Sequence, residues 1–170
     1  MRLYSGKVRD LGEELAKALI EGGDIESEGR SEVAKDLESV LTAYIQADRD
    51  ATERAKDIMQ NRGLPQSEFS RIKKLAAEQR GIKVGDETLD YLLDQLIEML
   101  MHSGNVEEVF AEDHDLRRRM RPILRKYLEM DDAVDAEVRS KLKHMQEGSR
   151  VWEVEYQRIM GDIQRRKGLS

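Results

Sequence analysis

Two tyrosine–aspartate pairs carry the most suggestive side-chain chemistry in this chain. Tyr44 and Asp48 lie four residues apart, and Tyr127 and Asp131 repeat that spacing 83 positions later. On a helix, residues four apart share one face. An ionised carboxylate on a buried helix face is costly unless it is hydrogen-bonded or paired. If two long helices packed antiparallel and crossed near their middles, Tyr44 would donate to Asp131 and Tyr127 to Asp48. The chemical alternative is a pair of acids for proton transfer or for a hard cation such as Mg²⁺. Nothing else of catalytic spacing surrounds these residues, so the structural reading leads.

A second constellation is electrostatic. Residues 86–115 hold ten carboxylates and no Lys or Arg. The next stretch holds six cations: Arg117, Arg118, Arg119, Arg121, Arg125 and Lys126. The matching part of the first half has only Lys35 in that role, so the fold does not require the cluster. Its plain reading is helix-surface ion pairing, Asp113 with Arg117, Asp115 with Arg119 and Arg125 with Glu129. Its functional reading is a strip for phosphate or RNA, assisted by Arg165, Arg166 and Lys167. Cations at a helix C-terminus are favoured by the helix dipole anyway, and no aromatic residues alternate with the basic ones to stack bases.

The remaining reactive side chains form no signature. His102, His114 and His144 make no HxxxH or HExxH pair, so no metal site is expected. Gly-rich phosphate loops and nucleophile elbows are absent, so no catalytic residue and no cofactor is assigned. Trp152, the only tryptophan, begins an apolar helical stripe. It reads as core or as an aromatic anchor at a subunit contact.

The elements that position these residues are helices. Leu37, Leu41, Tyr44, Asp48, Ala51, Ala55 and Ile58 form a heptad-like seam over residues 31–62. The same steps give Met120, Leu124, Tyr127, Asp131, Val134 and Val138 in a second long helix, about 115–146. Pro122 either kinks that helix or stands in its first turn. Self-comparison at shifts of 81, 83 and 87 residues also aligns the preceding and following helices. The prediction is an all-α, six-helix bundle with two long helices, an internal duplication of a three-helix unit. It forms one domain, 1–170, with pseudo-repeats at about 1–83 and 84–170. Ser31, Ser67, Asp86 and Ser149 are the expected N-caps.

Charged residues make up 38% of the chain, and its net charge of −6 gives no global pull toward nucleic acid or anionic membrane. No apolar run reaches the roughly 20 residues of a membrane span. The chain has no cysteine, hence neither disulfides nor thiolate metal sites. These features suggest a cytoplasmic protein.

The opening MRLYSGKV, the EVRSKL at the end of the second long helix and the closing EGSRVWEVEYQRIMGDIQRRKGL resemble a bacterial family, domain of unknown function 507. The resemblance spans the chain, implies a cytosolic bacterial protein and carries no activity or site residue with it. The expected function is therefore a non-enzymatic interaction or scaffold protein that self-associates or binds a partner protein. The alternative is an RNA- or phosphate-binding module using residues 117–126, and an acid- or metal-dependent enzyme on Asp48 and Asp131 comes third.

Overall fold

A computed structural model describes residues 1–170. The chain is all-α, with helices α1 (Val8–Glu21), α2 (Arg30–Arg62), α3 (Phe69–Gln79), α4 (Thr88–His102), α5 (Asp113–Leu128), α6 (Met130–Lys141) and α7 (Arg150–Arg166). Two-residue strands β1 (Ile25–Glu26) and β2 (Glu108–Val109) pair antiparallel, Ile25 opposite Val109.

Four helices make the body. α1 and α4 each pack against both α2 and α5, so α2 and α5 occupy opposite corners of a square. The apolar spacing explains this order. α1 turns Leu11, Leu15 and Leu19 inward, and α4 turns in Leu89, Leu92, Leu93, Leu96 and Leu100, a stripe broad enough to meet two neighbours. Each fully buried leucine contributes about 2 kcal/mol of transfer free energy.

Below this body the chain forms two arms. α2 has 33 residues, about 50 Å at a helical rise, and outruns the 14-residue α1. Its lower half is covered by α3, and Ala55, Met59 and Ile72 form a separate small core there. Gly63 (φ +62°) closes α2 in the left-handed conformation that glycine adopts without a Cβ penalty. The other arm is α6 with α7 folded back on it. Val134, Val138, Leu142, Trp152 and Ile163 enclose Tyr4 and Leu169 from the two chain ends. The backbones meet tightly at that join: Gly6 N–H donates to the Leu169 carbonyl at 2.9 Å, and a Cβ on Gly6 would sit 2.2 Å from the Gly168 carbonyl oxygen.

The second long helix arrives in two pieces; Pro122 lies inside α5, so the helix neither begins nor breaks there. The helix leaves its ladder at Glu129 (φ −94°, ψ 2°). There Asp132 N–H bonds to the Glu129 carbonyl, and the released Leu128 carbonyl accepts the N–H of Arg2 at 3.1 Å. The N-terminal segment thus satisfies the group that the break exposes.

Local starts differ in detail. Ser149 does cap α7, accepting from Trp152 N–H at 3.2 Å. Ser31 falls inside the first turn of α2, which starts after Gly29. Ser67 and Asp86 lie in 3₁₀ turns (Gln66–Glu68 and Gly85–Glu87) that lead into α3 and α4.

Candidate functional site

The arginine cluster lies on α5, and most of it is internally neutralised. Arg117 donates to Asp113 on its own helix and to Asp94 on α4, both at 2.6 Å. These two hydrogen bonds hold its guanidinium more firmly protonated than usual. Arg121 meets Asp90 of α4 at 2.9 Å. Lys126 meets Glu14 of α1 at 2.7 Å. Arg118, 77% exposed, has only a loose 3.8 Å contact with Asp115. Arg125 is exposed and has no carboxylate partner, so the expected pair with Glu129 does not form. The expected pair of Asp115 with Arg119 does not form either. Arg119 turns the other way and donates from Nε to Asp24 at 2.7 Å. Asp90, Asp94 and Asp113 of the upstream carboxylates, with Asp24 and Glu14 from elsewhere, hold four of the six cations, and these pairs clamp α4 and α1 to α5.

The tyrosines and aspartates do not pair across the halves as the antiparallel crossing would require. Tyr44 donates to the Lys83 carbonyl at 3.1 Å and shares a hydrogen bond with the Thr88 hydroxyl at 3.1 Å. Burial pushes its phenol up to about 12. Tyr127 donates to Glu14 at 2.8 Å; burial and that carboxylate raise its phenol to about 12. Asp48 instead meets Lys73 of α3 at 2.9 Å. Asp131 lies 3.9 Å from the α-amino group of Met1, while its second oxygen is buried without a partner. Burial raises its carboxyl above the ordinary range. The reason is geometric: α2 and α5 stand at opposite corners, with α1 and α4 between them. Each tyrosine therefore finds its acceptor at the neighbouring corner.

Trp152 is a core residue rather than an exposed anchor. It is 6% exposed, stacks on Tyr156 with ring centroids 5.1 Å apart and carries the Arg139 guanidinium 5.4 Å above its ring. The exposed apolar residues of α7 are its neighbours Val151 (62%) and Val154 (61%). His114 is exposed beside Glu112 and Asp115, and no three His, Asp or Glu side chains converge as a metal-ligand set.

Two concave surfaces exist that the sequence reading did not locate. One is an open apolar groove of about 410 Å³ between α2 and α4, walled by Val40, Ala43, Ala47, Tyr91, Leu92 and Met99. Tyr91 leans on Tyr44 at its floor, ring centroids 5.9 Å apart. The other is a cleft of about 450 Å³ where the α2–α3 arm leaves the body and faces the chain ends. Arg2, Asp48, Arg49, Lys56 and Lys73 line it, with Ile45 and Phe69. Both depend on residues from distant parts of the chain, a juxtaposition that helical spacing alone does not reveal.

A two-armed helical protein with an internally paired basic strip and two open surfaces is the class that fold and site define. The chain belongs to the DUF507 family, described as "Protein of unknown function (DUF507)", whose model matches residues 1–169. No curated protein matches it. No helix is long and apolar enough to cross a membrane.

Proposed function

We propose that this is a non-enzymatic helical interaction protein that pairs with a second copy of itself, or with a partner protein, through the groove between α2 and α4. The observation that carries the reading is the groove itself, an apolar channel between two helices left uncovered on a highly charged protein. Such channels take the apolar face of a partner helix. When the helix that fills it belongs to a second copy and the contact is reciprocal, the pair closes as a two-fold dimer, the commonest arrangement of identical chains. The alternative, RNA on residues 117–126, has less support, because Arg117, Arg119, Arg121 and Lys126 already face carboxylates within 3 Å.

The same reading takes the chain as a doubled three-helix unit. In its favour, α1 meets α5 as α4 meets α2, α3 covers α2 as α7 covers α6, and β1 and β2 pair reciprocally. It also places the protein in the bacterial cytoplasm, which suits a cysteine-free chain.

Co-expression of tagged and untagged chain tests the proposal. Tagged wild type should retain the untagged copy, and Ala43→Arg, a charge placed at the exposed mouth of the groove, should not. Should wild type retain neither its own copy nor any protein that the Ala43→Arg bait loses, the proposal fails.

A further inference from the structure

The cleft below the body has a different chemistry from the groove. Four cationic side chains, Arg2, Arg49, Lys56 and Lys73, line it against two side-chain carboxylates, Asp48 and Glu53, with the terminal residues Met1 and Ser170 also in the lining. That balance is the reverse of the chain as a whole, whose net charge is −6. Two of the cations are already engaged, Lys73 with Asp48 at 2.9 Å and Lys56 with Glu53 at 3.6 Å. Arg2 and Arg49 make no ion pair. The Arg2 guanidinium lies 4.9 Å from the centre of the Tyr4 ring, a stacking contact that orients its donors without consuming them. Tyr4 itself is 4% exposed, so its ring is a fixed platform. Arg49 stands on α2 one turn from Ile45 and two turns from Lys56, along the same wall.

We infer that this cleft binds a small molecule through a phosphate group, held between the Arg2 and Arg49 guanidinium groups. Guanidinium donors suit a phosphate because they can form paired, charge-assisted hydrogen bonds to its oxygens. Ile45, Phe69 and Leu169 supply apolar wall for the organic part of such a ligand. The volume, about 450 Å³, is that of a small-molecule site rather than of a polymer track. The cleft and the α2–α4 groove share no lining residue, so this site does not rest on the interaction reading.

Calorimetric and NMR titrations of the full chain with inorganic phosphate and with pyrophosphate test the inference, with sodium chloride at equal ionic strength as control. Both probes should bind saturably and shift the amide signals of residues 2–5, 49, 52 and 56. Arg49→Gln should weaken binding about tenfold, the loss of one charge-assisted hydrogen bond. Arg2→Gln should weaken it similarly, and Arg125→Gln, which alters the unpaired arginine of α5, should leave it unchanged. A response no different from chloride overturns the site. So does phosphate binding that Arg125→Gln weakens as much as Arg49→Gln, or shifts confined to residues 117–126, which would return the anion to α5. Both arginines are solvent-facing, so their glutamine variants are expected to fold as wild type, and the NMR spectra check this directly.

Discussion

Arg119 on α5 reaches over the end of α1 to Asp24, its Nε 2.7 Å from a carboxylate that is only 8% exposed. The backbone carbonyl of Asp24 in turn accepts the N–H groups of Phe110 and Ala111, so one residue joins β1, the loop after β2 and α5. A residue that sequence alone presents as part of a phosphate strip is a fastener of the two loops. Replacing Arg119 by Ala strands a buried carboxylate. We expect Arg119→Ala to lower the midpoint of urea unfolding, because Asp24 is left without its guanidinium partner while Arg119 itself is solvent-facing. Arg118→Ala should change stability by less than about 0.5 kcal/mol.

Glu14 and Asp131 should respond to pH in opposite senses. Burial opposes ionisation of Glu14, but its hydrogen bonds from Lys126 and Tyr127 prevail and hold its carboxyl below the ordinary value. Ionised Glu14 therefore stabilises the fold at neutral pH, and that contribution is lost as pH falls through the lowered folded value. For Asp131, burial raises the folded value, with the Met1 amino group opposing. Its contribution is fully present below the unfolded value and is lost as pH rises through the folded one. Glu14→Gln should lower the melting temperature at pH 7, and Asp131→Asn should raise it. Both differences should shrink as pH falls, that of Asp131 once pH drops below its unfolded value and that of Glu14 only once pH drops below its lowered folded value. Thermal melts across that range check both signs.

Trp152 and its neighbours should separate cleanly by burial. Trp152→Ala empties the middle of the α6–α7 core and should cost about 3–5 kcal/mol. Val151→Ser and Val154→Ser, on the exposed side of the same helix, should each stay within about 0.5 kcal/mol. Chemical denaturation of the three variants reads this directly.

The α2–α3 arm should open before the body does. Its separate core consists of Ala55, Met59 and Ile72, against 28 buried residues in the main cluster. Amide exchange in α3 and the lower half of α2 should proceed through local opening at lower free energy than exchange in α4. Equal protection in the two regions would show that the arms and body unfold as one.

The helices were legible because their apolar residues recur at helical spacing: the α1 stripe of Leu11, Leu15 and Leu19 is buried as its period requires. The exceptionally apolar α4 was recognisable as a central helix for the same reason. What stayed hidden was the partner of each polar side chain. Tyr127 could be placed on an inward face from spacing, yet its acceptor is Glu14, 113 residues away and fixed only by how α1 stacks on α5. The break at Glu129 was masked because the seam continues through it in register, Tyr127 to Val134, and because its compensation comes from the backbone of Arg2. The β1–β2 ladder is two residues long, too short for strand alternation to register. Trp152 was correctly set on an apolar stripe, but spacing could not say that α6 and Tyr156 cover it.

The most direct test of the interaction reading is the mass of the protein in solution, measured by sedimentation equilibrium over a rising concentration series. The groove predicts that wild type climbs from the 19.6 kDa of one chain toward twice that mass, while Ala43→Arg remains at one chain throughout. A wild-type mass fixed at one chain at every concentration, or a dimer that forms equally well with arginine at position 43, would contradict self-association through the groove.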